Sequence, residues 1–207
     1  MLQIGNLLII GDSYSTFDGY IPQTNLTWYP GNDVQEVSMT WWWQFIKETN
    51  ASLLLNESFS GSTVCNTERP TIPHTSFIYR LENLIDDGFF EKNRVDTIIL
   101  FGGTNDSCID APIGENQYEN FTEESLKEVL PAFCYLVKRL QAVTPSAQII
   151  VVLNCDINPL ITQGFSKACQ HFKIPCAHLE NVGKENGHPN QVGMTAIKDQ
   201  IIQALEK

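Results

Sequence analysis

Five short runs rich in Ile, Val and Leu recur along the chain, at 5–10, 52–55, 96–101, 148–153 and 174–178. Within each run the apolar residues are continuous rather than alternating, which is the pattern of a strand buried on both faces, as in a parallel sheet. Helical patterns fall between and after these runs, at 40–48, 77–87, 123–143, 159–172 and 191–206. In the last of them Val192, Ala196, Ile197, Ile201 and Leu205 recur at helical spacing, while Lys198, Asp199 and Gln203 lie mostly elsewhere. Strand and helix alternating five times predict an α/β fold: an open parallel sheet with helices on both faces and right-handed crossovers. Pro131 removes a backbone donor and clashes one turn back, so a kink or two consecutive helices is expected within 123–143. The segment 14–39 fits neither pattern. Gly19, Pro22, Pro30 and Gly31 break it up, and irregular connections of that length are usually functional.

A chain of 207 residues with 43% hydrophobic and 18% charged residues has enough apolar surface for a sizeable core, and one domain over 1–207 is expected. The 24 acidic residues outnumber the 13 Lys and Arg, giving a formal charge of −11. That balance opposes binding to phosphate backbones or anionic membrane surfaces, so nucleic acid is not an expected partner. No apolar stretch approaches the roughly 18 residues needed to span a bilayer. Cys65, Cys108, Cys134, Cys155, Cys169 and Cys176 form no C-x-x-C pair and have no His at ligand spacing, which disfavours zinc and dithiol chemistry. Reduced packing thiols in a reducing compartment are the expectation. The run Leu7-Leu8-Ile9-Ile10 is too short for a signal peptide's apolar region and lacks a basic start. A complete chain would accordingly be cytoplasmic, and one trimmed of an export signal periplasmic or secreted.

Ligands of open α/β sheets bind beyond the carboxyl ends of the strands. Three of the five ends carry polar clusters: Gly11-Asp12-Ser13-Tyr14-Ser15, Asn56-Glu57-Ser58-Phe59-Ser60-Gly61 and Gly102-Gly103-Thr104-Asn105-Asp106. Glu185-Asn186-Gly187-His188-Pro189-Asn190 precedes the last helix. These residue types match the needs of acyl transfer. A serine hydroxyl is a weak nucleophile that requires a neutral imidazole to take its proton, and the imidazole requires an acceptor to fix its tautomer. Ser13, His188 and Glu185 are the candidates for those roles. The developing oxyanion needs fixed donors, for which the backbone N–H groups of Ser13 and Gly61 and the side-chain amide of Asn105 are the candidates.

The four clusters resemble the sequence blocks of the SGNH hydrolases, also called the GDSL lipase/esterase family. Gly11-Asp12-Ser13-Tyr14-Ser15 is similar to the nucleophile block. Asn56, Ser58 and Gly61 match the second block, Gly103-Thr104-Asn105-Asp106 the G-x-N-D block, and His188-Pro189 the terminal D-x-x-H-P block. The blocks occur in the family's order and span nearly the whole chain. The resemblance implies a three-layer α/β/α sandwich on a flavodoxin-like five-stranded parallel sheet of order 2-1-3-4-5. It implies Ser13 as nucleophile, Ser13, Gly61 and Asn105 as the oxyanion hole, His188 as general base, and a small-molecule ester as substrate, with no cofactor and no metal. One position departs from the pattern. The family's acid is usually Asp three residues before the His, and Glu185 stands there; the alternative is a Ser/His pair whose imidazole is oriented by a backbone carbonyl or water.

Each residue also has a plainer reading. Ser13 and Asn105 suit turns or helix caps, and His188-Pro189 suits the start of the last helix, with Pro189 in its first turn. Asp12 and Asp106 are expected to support loops by hydrogen bonding, and His74, His171 and His178 to be surface or packing residues. Trp41-Trp42-Trp43 lie about 100° apart on a helix, so at most two face the core together. Tyr14, Phe17, Tyr20, Trp28 and Tyr29 follow the nucleophile and are candidates for lining its pocket; the alternative is a satellite cluster that pins the loop. A short acyl chain is expected, since no long apolar surface helix or Met-rich lid is evident.

Overall fold

The computed structural model describes residues 2–67 and 69–206. Its main sheet has five parallel strands: β1 (Asn6–Gly11), β2 (Ser52–Ser58), β3 (Thr97–Phe101), β4 (Gln148–Leu153) and β5 (Cys176–His178), in the order 2-1-3-4-5. The α/β fold and the strand order are those expected. Alternate residues of the central strands point to opposite faces. Leu8, Ile10, Ile98, Leu100, Ile149 and Val151 join a core beneath α2 (Phe77–Asp86), α5 (Val129–Val143) and α6 (Pro159–Phe172). Leu7, Ile9, Ile99, Phe101, Ile150 and Val152 join a second core beneath α1 (Trp41–Thr49) and α7 (Gln191–Leu205). Strands buried on both sides explain why their sequence is continuously apolar.

Local chemistry sets the helix limits. Thr40, Ser76, Asn158 and Asn190 cap α1, α2, α6 and α7, each side chain accepting a first-turn N–H. Trp41 and Trp42 are fully buried and Trp43 only partly, as the 100° spacing requires. Two short helices, α3 (Phe89–Lys92) and α4 (Thr104–Cys108), complete the set.

Three expectations differ from the structure. Pro131 neither kinks nor divides its helix. The break comes at Glu128, which is extended (φ −101°, ψ 140°) between a 3-10 turn at Ser125–Lys127 and α5. Pro131 thus sits in the first turn of α5, where no intrahelical acceptor is available for an N–H in any case. Val192, assigned to the apolar stripe of α7, is 73% exposed, while Gly193 and Met194 in the same turn are buried, so the buried face of the helix begins one residue later. Pro189 is not in the first turn of α7. It belongs to a two-stranded antiparallel hairpin, β6 (Lys184–Glu185) and β7 (His188–Pro189), in which Glu185 pairs with His188. Its two connecting residues, Asn186 (φ 53°) and Gly187 (φ 77°), are both left-handed. That is the backbone of a type I′ turn, for which Asn-Gly is the preferred pair. Gly193 seats the hairpin on α7, since a Cβ there would lie 2.0 Å from the Gly183 carbonyl oxygen.

Candidate active site

The serine turn is built at the end of β1. Residues Ser13–Ser15 form one 3-10 turn, capped by the Asp12 carboxylate, which accepts from Tyr14 N–H at 3.0 Å. Asp12 is fully buried and, among the described residues, its second oxygen has no hydrogen-bond partner in ordinary geometry, with Thr104 close by. Burial pushes its pKa up to about 7, against the Tyr14 hydrogen bond that favours the charged form. Asn56 donates to the Ser15 carbonyl at 2.8 Å and in turn accepts from Ser58 at 2.6 Å. The side chain of Asn56 therefore holds the serine turn from beneath rather than facing a substrate.

The second and third loops are tied to the first. Gly61 has a φ of 85°, a left-handed value that strains any residue with a Cβ, and its carbonyl accepts from the Arg69 guanidinium. Ser62 donates to the Gly11 carbonyl at 3.5 Å, and Asn105 Nδ2 donates to the Ser62 carbonyl at 2.9 Å. That bond uses one of the two amide protons of Asn105 and orients the other. Among the described residues, nothing accepts from the N–H of Ser13 or of Gly61. Asp106 is fully buried and accepts from the N–H groups of Val64 (2.9 Å) and Cys65 (3.2 Å). Both aspartates thus support loops, as expected.

Arg80 was not singled out in the sequence, yet it joins the same loops from below. Its guanidinium donates to the carbonyls of Gly11 (3.0 Å), Thr75 (3.1 Å) and Glu57 and to Ser62 Oγ (3.1 Å), in full burial. Burial pushes its pKa down to about 10, leaving it charged at neutral pH. An Arg at a core-facing position of an amphipathic helix is the sequence signal that marks it.

The hairpin delivers the histidine. His188 Nε2 lies 2.9 Å from Ser13 Oγ, and its Nδ1 lies 3.2 Å from the Asn186 carbonyl oxygen. Glu185, expected as the acid, is exposed and bonds to neither ring nitrogen. The tight Asn186-Gly187 turn folds the Asn186 carbonyl back onto Nδ1, so the single acceptor position at that nitrogen belongs to the backbone. The Asn-Gly pair is the sequence signal that could have revealed this hairpin. Burial lowers the pKa of His188 below the ordinary imidazole value, and the nearby charge of Lys184 lowers it further, opposed by the Asn186 carbonyl. The ring is therefore neutral at pH 7 and able to accept a proton from Ser13.

The long first crossover clamps the hairpin. Tyr14 Oη donates to the Gly187 carbonyl at 2.8 Å, Tyr29 Oη to the Pro189 carbonyl at 2.7 Å, and Asn32 Nδ2 to the same carbonyl at 3.0 Å. Trp28 stacks on the His188 ring, with centroids 3.7 Å apart and planes 9° from parallel. Of the five aromatic pocket candidates, Tyr14, Trp28 and Tyr29 contact His188. Phe17 and Tyr20 do not line the site through that ring. Phe17 packs on Tyr20, whose ring sits against Trp42 and Trp43 of α1, a satellite cluster that pins the loop.

The sequence profile of the family described as GDSL-like Lipase/Acylhydrolase matches residues 5–205. The chain belongs to this family. Two solved GDSL-like lipase structures resemble it over nearly their full lengths. One, from Bacteroides uniformis ATCC 8492, is 39% identical with a TM-score of 0.89, covering 98% of this chain and 95% of its own. The other, from Bacteroides ovatus ATCC 8483, is 36% identical with a TM-score of 0.89, covering 99% of both. More distantly, the chain shares its fold with Est2A, an acetyl xylan esterase from the rumen bacterium Butyrivibrio proteoclasticus. The identity there is 22% and the TM-score 0.60, covering 98% of this chain and 64% of that one. No curated protein matches the chain significantly. Among the described residues, no helix is long and apolar enough to cross a membrane.

Proposed function

We propose that this GDSL-like acylhydrolase is a serine esterase that cleaves a small, soluble acyl ester, an acetylated carbohydrate in particular, through an acyl-enzyme on Ser13. The observation that carries the reading is the 2.9 Å contact between Ser13 Oγ and His188 Nε2, beside two undonated backbone N–H groups. His188 takes the hydroxyl proton as Oγ forms its bond to the ester carbonyl carbon. The carbonyl oxygen then gains negative charge, met by the N–H groups of Ser13 and Gly61 and by the Asn105 amide. Collapse of that intermediate expels the alkoxide, which leaves with the proton from His188. Water then repeats the sequence on the acyl-enzyme, releasing the acid and restoring Ser13.

Two observations bear on the size and character of the substrate. Trp28, Tyr14 and Tyr29 crowd His188, which favours a short acyl group there. Beyond Gly61, a groove of about 500 Å³, largely apolar in its lining and including Asn66, Arg69, Pro70, Pro73 and Tyr79, shares Arg69 with the oxyanion loop and offers the alcohol portion an apolar surface with a few polar partners. The fold shared with an acetyl xylan esterase is consistent with this choice. Profiling p-nitrophenyl esters from C2 to C12 is expected to show kcat/KM highest at C2–C4. A maximum at C10 or longer would favour a lipid or lysophospholipid acylhydrolase, and a preference for acyl thioesters a thioesterase. Stoichiometric labelling of Ser13 by a fluorophosphonate probe is expected; a folded sample that takes no label would instead be a binding domain retaining the fold.

The base works as a pair with Ser13, its tautomer set by the Asn186 carbonyl. Glu185→Gln is therefore expected to keep kcat within about twofold of the parent, whereas His188→Ala loses about a thousandfold. A Glu185→Gln loss above tenfold on p-nitrophenyl acetate would restore Glu185 as the acid.

A further inference from the structure

Proton transfer from Ser13 turns His188 into an imidazolium. Where a carboxylate sits at Nδ1, its negative charge meets that cation. Here the Nδ1 partner is the neutral Asn186 carbonyl, which fixes the tautomer and supplies no charge. The formal charge that bears on the ring is Lys184, of the wrong sign, held by Asp156 at 2.7 Å and Asn154 at 3.1 Å. The other ionisable side chains around the ring are Tyr14 and Tyr29, which touch it edge-on, and the exposed Glu185; Asp33 is engaged at the start of α7. What does lie on the ring, face to face at 3.7 Å and 9°, is the indole of Trp28. The face of an indole carries negative potential and is the strongest aromatic partner for a cation.

We propose that Trp28 is a positioning residue for this reaction: its indole holds the plane of the His188 ring and stabilises the imidazolium through its π face, in place of a triad carboxylate. The indole is well placed for this because the same loop is anchored to both partners. Trp28 N–H donates to Thr16 Oγ1 at 2.9 Å, and Thr16 Oγ1 donates to the Ser13 carbonyl at 3.0 Å, so the stack is tethered to the serine turn itself. The Trp28 ring also abuts Tyr29 at 4.5 Å, whose hydroxyl holds the Pro189 carbonyl next to His188. Rotation of the imidazole about its Cβ–Cγ bond would break the stack and both nitrogen contacts together. The sequence placed Trp28 in the vicinity of the site; only the fold lays it on the base.

The proposal rests on the Ser13–His188 reading, and two measurements separate their failures. Trp28 is replaced site-specifically by 5-fluoro- and 5,6,7-trifluorotryptophan, which keep the indole's shape and N–H while draining its π face. Along that series kcat on p-nitrophenyl acetate is expected to fall stepwise, to about a third or less of the parent for the trifluoro ring, with KM moving less. The pKa of His188, followed by NMR, is expected to fall in the same order, because only the charged form loses its partner. Trp28→Leu, which still covers the ring but has no π face, is expected to lose more kcat than either, and Trp28→Phe to recover part of it. Values of kcat and His188 pKa that stay constant across the fluorinated series would overturn the role of Trp28. Absence of any hydrolysis by the parent protein, with a His188 pKa that still tracks fluorination, would overturn the esterase reading and leave the stack's effect on the imidazolium standing.

Discussion

Ser13→Ala is expected to lower kcat on p-nitrophenyl acetate by about a thousandfold or more, and to abolish the burst of p-nitrophenol that accompanies acylation. The size follows from what the hydroxyl does. Without it no covalent bond to the acyl carbon forms, and His188 and the oxyanion donors are left to act on water alone, which retains only residual catalysis. The variant should fold normally. Among the described residues, the side-chain partner of Ser13 Oγ is His188, and the turn is held by Asp12, Asn56 and Thr16 through other atoms. Unfolding curves that coincide with those of the parent are the control. In the parent, the acid limb of kcat/KM should lie below the ordinary imidazole pKa, since burial and Lys184 both hold His188 down. Hydrolysis by Ser13→Ala within tenfold of the parent would remove Ser13 from the reaction.

Arg80→Met carries the largest expected effect on stability. Removing the guanidinium strips donors from the Gly11, Glu57 and Thr75 carbonyls and from Ser62, and leaves the largely buried Glu57 carboxylate without its cation at 3.9 Å. Breaking a buried, hydrogen-bonded charge typically costs about 3–5 kcal/mol, because the remaining groups keep their desolvation penalty. For a chain of this size that corresponds to a fall in Tm on the order of 10 °C. Urea unfolding should show a lower midpoint at an unchanged m-value. Arg80→Lys is expected to recover little, since one ammonium cannot span acceptors on three segments. Below its transition the folded Arg80→Met protein should also lose activity, because Gly11 and Ser62 position the serine and oxyanion loops. A midpoint within 1 kcal/mol of the parent, converted through the m-value, would show that these contacts are replaceable.

Legibility differed between parts of the molecule for physical reasons. The sheet could be read because strands buried on both faces must be apolar throughout, and the helices because their caps and stripes are local. Ser13, Gly61, Asn105 and His188 could be singled out as candidates because a nucleophile, a base and oxyanion donors each demand a particular residue type, and the blocks that carry them lie at strand ends and before the last helix. Glu185 misled because the spacing of the block matched while the local turn did not. Whether a carboxylate reaches Nδ1 depends on backbone direction, and the Asn186-Gly187 turn points a carbonyl there first. The core-facing position of Arg80 on its helix marks it as unusual, but the acceptors it serves on Gly11, Glu57 and Ser62 lie on other segments that no pattern along the chain records.

The amino-acid sequence by itself determined the alternation of strands and helices, the strand ends that carry chemistry, and the residue types for acyl transfer. All of these depend on interactions within a few residues or on the burial of a whole element. The tertiary structure decided which acceptor meets His188, that Trp28 lies flat on its ring while Phe17 and Tyr20 turn away to α1, and that Arg80 ties the loops from below. Those outcomes depend on contacts between segments far apart in the chain. Distances of 3 Å between such segments are set by the packing of the layers.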